Sequence, residues 1–94
     1  MIHVMAIIQF QPQHVDEVKT AMLLLVEQSR METGCLQYDV FHRNDEPVLV
    51  TQETWVDKSA EIAHMAGPSV TATFASIGKF LTAAPNIHYY TQWV

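Results

Sequence analysis

The sequence predicts an α+β fold in which a single antiparallel sheet carries helices on one face. Segments with apolar residues at every second position lie near both ends and in the middle of the chain. Segments with apolar residues three and four positions apart lie between them. Proline, glycine and an Asn-Asp pair separate the two kinds of segment. With 94 residues the chain has room for one domain, residues 1–94.

A strand and a helix open the chain. Residues 2–10 alternate so that both faces of the predicted strand are partly apolar. One face carries Ile2, Val4, Ala6, Ile8 and Phe10, and the other carries Met5 and Ile7. Pro12 ends this strand, and apolar residues at helical spacing then run from Val15 to Val26. Gly34 predicts the end of the helix.

A hairpin and a second helical region follow. Residues 35–56 alternate on either side of the turn sequence NDEP and predict an antiparallel hairpin. Asp57 suits the N-cap of a short helix over 58–66, and Pro68 suits the first turn of another. The apolar stripe of that last helix consists of Val70, Phe74, Ile77 and Leu81. Pro85 closes it, and the aromatic segment NIHYYTQWV predicts a final strand.

This element order is that of the ferredoxin-like fold, whose helices cover only one face of the sheet. The other face carries Met5 and Ile7, and we place Trp55 and Tyr90 there as well. A bare apolar sheet face is unfavourable in water, so we expect a second copy of the chain to cover it. The composition agrees, because 49% of the residues are hydrophobic and only 16% are charged. A monomer at micromolar concentration in sedimentation would contradict this expectation.

Composition excludes several classes of function. The net charge is −5 and the five cationic residues are scattered, which argues against nucleic-acid binding. The single cysteine allows no intrachain disulfide and favours a cytoplasmic protein. The longest apolar run, residues 21–26, is too short to span a membrane. We find neither a glycine-rich phosphate loop nor closely spaced cysteine or histidine ligands, so we predict no nucleotide, flavin or metal site.

Two segments carry a family resemblance. METGCLQYDV resembles the E-x-G-C-L-x-Y segment of antibiotic biosynthesis monooxygenase (ABM) domains. ETWVDKSAEIAHMAGPS is similar to that family's E-x-W-x-[DS]-x-x-A-x-x-x-H-x-x-S-P-H segment. The matching positions are Glu53, Trp55, Asp57, Ala60, His64 and Pro68. The resemblance implies a dimeric α+β barrel with a cavity near each subunit's helices. It also implies an activity like that of quinol monooxygenases, which need no metal or flavin.

The chain departs from the family pattern at several positions. Gly67 stands in place of the family's serine, and Ser69 stands in place of its second histidine. A mechanism that uses two histidines therefore lacks one of them. Haem-degrading relatives use an asparagine on the first strand and a histidine in the last helix. Ile8, Gln9 and Phe74 occupy the corresponding positions here, so haem degradation is disfavoured.

His64 is the candidate catalytic residue. An imidazole, whose ordinary pKa is about 6.5, suits the removal of a proton from a phenolic hydroxyl near neutral pH. The alternative is a histidine that only completes the packing of its helix. Tyr38 shares its strand parity with Leu36 and Val40, so we interpret it as a structural residue of the helix-covered face. Tyr90 and Gln92 are candidate hydrogen-bond donors to the substrate anion.

The candidate substrate-contacting residues are Trp55, Glu53, Met5, Ile7 and Tyr90. Trp55 could stack on a planar substrate or simply pack inside the barrel. Glu53, a carboxylate pointing into a dimeric barrel, could relay protons or form a salt bridge between subunits.

These residues predict a cofactor-independent monooxygenase that oxidises a small electron-rich aromatic, a quinol or a polyketide-like molecule, with O2. Two alternatives belong to other classes. One is a module that binds a metabolite without converting it. The other is an isomerase built on the same scaffold, acting on a small keto sugar or a phosphorylated metabolite.

Overall fold

A four-stranded antiparallel sheet forms the centre of the computed structural model, which describes residues 1–94. Its strands are β1 (Ile2–Gln9), β2 (Cys35–His42), β3 (Val48–Trp55) and β4 (Asn86–Tyr90), in the order β2-β3-β1-β4. The helices are α1 (Val15–Arg30), α2 (Lys58–Met65) and α3 (Pro68–Ile77). The predicted α+β, ferredoxin-like fold is confirmed.

Local sequence signals explain where the elements begin and end. The Asp57 side chain accepts a hydrogen bond from the backbone N–H of Ala60 (2.9 Å), as expected of the N-cap of α2. The last helix is shorter than the apolar stripe predicted, because a tight turn at Gly78–Phe80 follows it and Leu81 pairs with Phe10 instead. The final strand likewise ends at Tyr90 and does not extend to residue 94.

The core lies between the sheet and the helices. It is formed by Val4, Ile8, Phe10, Val18, Met22, Leu25, Tyr38, Trp55, Val70 and Ile77, all buried. Their burial supplies the main driving force for folding, at about 1.5–3 kcal/mol for each large apolar side chain. The predicted face of β1 is therefore correct: Val4 and Ile8 point to the helices, whereas Met5 and Ile7 lie on the other side of the sheet.

The placement of Trp55 with Met5 and Ile7 is wrong. Ile2 pairs with Trp55 and Val4 pairs with Glu53 across β1 and β3. Residues directly opposite each other in an antiparallel pair point to the same face. Trp55 and Glu53 therefore point toward the helices, and Trp55 is 0% exposed.

A buried carboxylate ties α2 to the edge strand β4. Glu61 is 2% exposed, and it accepts hydrogen bonds from the Tyr89 hydroxyl (3.1 Å) and from Lys58 Nζ (3.1 Å). Desolvation and the Glu61 carboxylate raise the pKa of Tyr89. The same carboxylate, through its hydrogen bond, raises the pKa of Lys58. These contacts fix α2 relative to the sheet, which matters because α2 carries His64.

Gly34 occupies a position that no other residue fits. Its φ is +83°, and a Cβ placed there would lie 2.6 Å from the Cβ of Ala60 and 2.8 Å from Cγ1 of Val56. We expect Gly34→Ala to lower the free energy of unfolding by about 2–4 kcal/mol, through backbone strain and overpacking together. Urea denaturation measures the change.

Gly78→Ala is the matched control for that substitution. Its φ is −53°, and a Cβ placed there would meet nothing within 4 Å. The same added methyl group should therefore leave stability unchanged or raise it slightly. Equal losses in the two variants would contradict the assignment of the Gly34 effect to its conformation and contacts.

Candidate active site

A cavity of about 670 Å³ lies on the helix-covered side of the sheet. Its walls are mainly apolar, with side chains from β1, α3 and the segment that leads into β4. The apolar lining includes Val4, Ala6, Ile8, Val70, Phe74 and Ile87. Five polar side chains also line it: Tyr38, Thr51, Glu53, His64 and Thr82. Its size and largely apolar lining are typical of sites for small organic molecules.

His64 is held by a carboxylate from the turn that follows α1. The imidazole lies on the inner side of α2 and is 2% exposed. Its Nδ1 is 2.8 Å from Oε1 of Glu32, and Ser69 Oγ donates a hydrogen bond to the same oxygen (3.0 Å). A carboxylate only accepts hydrogen bonds, so Nδ1 carries the proton in this contact. In the neutral imidazole, Nε2 is then the unprotonated nitrogen.

Glu53 lies on the Nε2 side of the same imidazole. Its Oε1 is 3.9 Å from His64 Nε2 and accepts a hydrogen bond from Trp55 Nε1 (3.0 Å). Its Oε2 accepts from Thr51 Oγ1 (2.7 Å), which in turn accepts from the backbone N–H of Ala6 (2.9 Å). Glu53 is 5% exposed, so these donors replace the water that its carboxylate loses on burial.

Two aromatic rings pack against the imidazole. The Trp55 ring centroid is 4.5 Å from that of His64 at an interplanar angle of 33°, and the Tyr38 centroid is 5.3 Å away at 57°. Tyr38 and Trp55 meet edge to face at 6.3 Å. Contact with both rings leaves His64 little rotational freedom, so its ring nitrogens keep their directions.

Tyr38 retains its proton over the whole neutral range. Burial raises the pKa of its hydroxyl, and the negative charge of Glu53 raises it further. A phenol that stays protonated is a hydrogen-bond donor. The cavity thus combines a donor, Tyr38, with an unprotonated imidazole nitrogen and an apolar wall.

Comparisons with known proteins identify the family of the chain. A family model described as "Antibiotic biosynthesis monooxygenase" matches residues 1–76. The chain belongs to the antibiotic biosynthesis monooxygenase family. A relative from Bacillus subtilis (strain 168), named "Putative monooxygenase YcnE", is 35% identical over 91 residues and matches over 90% of each chain.

Solved structures of similar proteins share the whole fold. A crystal structure of an antibiotic biosynthesis monooxygenase superposes with a TM-score of 0.94, at 27% identity and over 100% of both chains. PA3566 from Pseudomonas aeruginosa superposes with a TM-score of 0.88, at 26% identity, over 99% of this chain and 94% of its own. The resemblance to the ABM family inferred from the two sequence segments is confirmed.

The structure brings only part of the predicted site of this ABM domain together. His64 and Glu53 both line the cavity, and Trp55 lies directly behind them. Met5 and Ile7 are on the opposite face of the sheet, out of reach of His64. Tyr90 pairs with His3 and so shares that opposite face, and it is 50% exposed. In the single chain these three residues do not contribute to the cavity.

Two residues of the site were not singled out from the sequence, and a third was given a different role. Glu32 and Thr51 complete the hydrogen-bonded cluster, and Tyr38, interpreted from the sequence as a structural residue, lines the cavity. The sequence did contain an indication of the importance of Glu32, because this residue is the glutamate of the ABM-like segment E-x-G-C-L-x-Y. The Glu53 carboxylate does not need a salt bridge between subunits, because Thr51 and Trp55 of the same chain donate hydrogen bonds to it.

Ser69, which replaces the family's second histidine, contacts the carboxylate that orients His64. Its hydroxyl donates a hydrogen bond to Glu32, it is 6% exposed, and neither residue lines the cavity.

No group of three or more His, Cys, Asp or Glu side chains is arranged to hold a metal ion. None of the three helices is long and apolar enough to cross a membrane.

Proposed function

We propose that this ABM-family chain is a cofactor-independent monooxygenase that oxidises a small hydroxylated, electron-rich aromatic such as a quinol with O2. The observation that carries the proposal is the orientation of His64. Glu32 holds Nδ1 at 2.8 Å, so the other nitrogen of the neutral ring, Nε2, is available as a base at the wall of an apolar cavity. His64 is the proposed catalytic residue, and Glu32 is a positioning residue.

The reaction begins with proton transfer. Nε2 of His64 takes the hydroxyl proton of the substrate, and the nearby Glu53 carboxylate, at 3.9 Å, stabilises the imidazolium that forms. Tyr38 is placed in the same lining and donates a hydrogen bond to the substrate oxygen as its negative charge develops. The apolar walls exclude water, which strengthens both interactions.

Oxygen then reacts with the substrate anion. The anion transfers one electron to O2, and the resulting radical and superoxide combine at a ring carbon to form a C–O bond. The adduct recovers the proton from His64 and becomes a hydroperoxide. Loss of that carbon's hydrogen together with the outer oxygen, as water, leaves a carbonyl group. One O2 is consumed, one of its atoms enters the product, and two substrate hydrogens leave in the water.

Trp55 and Glu53 act mainly by positioning and stabilising the His64 imidazole. Trp55 fixes the imidazole plane from behind and donates its indole N–H to Glu53. Glu53 also contributes to the cavity wall, so it is the residue of this pair that contacts the substrate directly.

A second copy of the chain is part of the proposal. Met5 and Ile7 are half-buried on the uncovered sheet face, while Phe41 and Tyr90 there are 55% and 50% exposed. These four side chains support pairing of two sheets across that face. Met5, Ile7 and Tyr90 then belong to the dimer interface, which differs from the substrate-contacting role predicted from the sequence.

Oxygen uptake by the metal-stripped protein tests the proposed reaction. A panel of hydroquinones and naphthols should be consumed at one O2 per product, with one labelled oxygen atom from 18O2 in each product. Binding of the aromatics without oxygen uptake would instead identify a metabolite-binding module. Solvent exchange at a substrate carbon without oxygen uptake would identify an isomerase.

A further inference from the structure

The polar part of the cavity carries negative charge and no cationic side chain. Glu53 lines the cavity directly, and Glu32 lies behind His64. No lysine or arginine is among the eighteen lining residues. Even if His64 takes up a proton, the group formed by Glu32, His64 and Glu53 keeps a formal charge of −1.

None of the five cationic residues of the chain lines the cavity. Three form ion pairs: Arg30 with Asp39 (2.8 Å), Arg43 with Glu46 (3.1 Å) and Lys58 with Glu61 (3.1 Å). Lys79 lies over the Phe80 ring at 5.2 Å, and Lys19 is exposed on α1. An anionic ligand in the cavity would therefore lose its hydration without gaining a counter-charge.

Two of the neutral donors at the cavity are committed to Glu53. Thr51 Oγ1 and Trp55 Nε1 both donate to that carboxylate, at 2.7 Å and 3.0 Å. The hydroxyls of Tyr38 and Thr82 are the other neutral donors of the lining, and they suit a hydroxyl or carbonyl oxygen better than a carboxylate or a phosphate, which need several donors.

We propose that this cavity selects uncharged hydroxylated aromatics and rejects ligands that carry a carboxylate or a phosphate, with the Glu53 carboxylate as the residue that sets this preference. The inference rests on the proposed function for the cavity's role as a substrate site, and it restricts the substrate class. It excludes phosphorylated metabolites and aromatic acids, and it retains neutral quinols and naphthols.

The test compares 2-naphthol with 2-naphthoate, two probes of similar shape that differ in charge at pH 7. Calorimetry gives the affinities of the full chain, and shifts of the Ala6 and Ile8 methyl resonances establish that binding occurs in the cavity. We expect 2-naphthoate to bind at least about tenfold more weakly, because like charges repel in a water-poor site. Equal or tighter binding of 2-naphthoate, or no binding of either probe, would overturn the proposal.

Glu53→Gln separates the effect of charge from that of an apolar cavity. The amide keeps the shape of the side chain and removes its negative charge, so the ratio of the two affinities should narrow by about threefold or more. Asp16→Asn is the matched control, because it removes one negative charge from the exposed surface of α1 and should leave the ratio unchanged. A ratio unaffected by Glu53→Gln would refute the role given to that carboxylate.

These outcomes remain distinct from those of the oxidation test. Neither probe needs to be oxidised, so selective binding of 2-naphthol without oxygen uptake from any quinol would support the charge preference and refute the monooxygenase. Oxygen uptake with carboxylated and neutral quinols at equal efficiency would support the monooxygenase and refute the charge preference.

Discussion

His64→Ala should lower the rate of quinol-dependent oxygen uptake by about 10²–10⁴-fold, the usual contribution of a positioned general base. The substitution removes the only imidazole in the cavity lining. It therefore removes Nε2, the proposed base, whose ring is oriented by the contact between Nδ1 and Glu32. Substrate binding should change much less, because most of the cavity wall is apolar and intact. The loss should therefore fall on kcat, measured in an oxygen electrode with saturating quinol.

His42→Ala is the matched control for that loss. His42 lies at the end of β2, is exposed and does not line the cavity, so its removal should leave kcat unchanged. His64→Gln, which preserves more of the packing against Trp55, distinguishes loss of the base from loss of structure. Full turnover in either His64 variant, with a native circular dichroism spectrum, would refute the role of His64 as the base.

Substitution of Glu32 provides a finer test of the contact between Glu32 and His64. If it acts only by orienting His64, Glu32→Gln should lower kcat less than His64→Ala does and displace the pH profile of kcat, with KM unchanged. A purely structural role for Glu32 would instead affect stability and leave the pH profile in place.

Sequence patterns predicted the elements of the fold but not the register that builds the site. The period-2 alternation of β3 correctly places Glu53 and Trp55 on one face, since parity is a local property. Which face that is depends on pairing with β1, and both faces of β1 are apolar enough to be buried. The alternation alone could not decide between them, and Trp55 was placed on the wrong side.

The cluster around His64 depends on contacts that are distant in the sequence. Glu32 and His64 are thirty-two positions apart and meet only because the turn after α1 packs against α2. Nothing in the periodicity of either helix indicates that contact. Only the co-occurrence of two family-like segments hinted at it, since one segment contains Glu32 and the other His64.

The second large effect concerns stability. Trp55→Ala should lower the free energy of unfolding by about 3–5 kcal/mol, the usual cost of removing a large aromatic side chain from a core. Trp55 is 0% exposed, packs on both Tyr38 and His64, and donates its indole N–H to the buried Glu53 carboxylate. A domain of this size has a total stability of about 5–15 kcal/mol, so the variant should be close to unfolding at room temperature.

Trp93→Ala is the control, because it removes the same side chain from a position that is 95% exposed. Its unfolding free energy should stay within about 0.5 kcal/mol of the parent value. Trp55→Phe keeps an aromatic ring in the core, but it removes the donor to Glu53, a bond to a charged group worth about 1.5–3 kcal/mol, together with one ring of the indole. Urea denaturation at one fixed protein concentration compares all three, since dimerisation would make stability depend on concentration. If Trp55→Ala were as stable as Trp93→Ala, the indole could not be the packing element that fixes His64, and the orientation of the proposed base would have to arise from Glu32 alone.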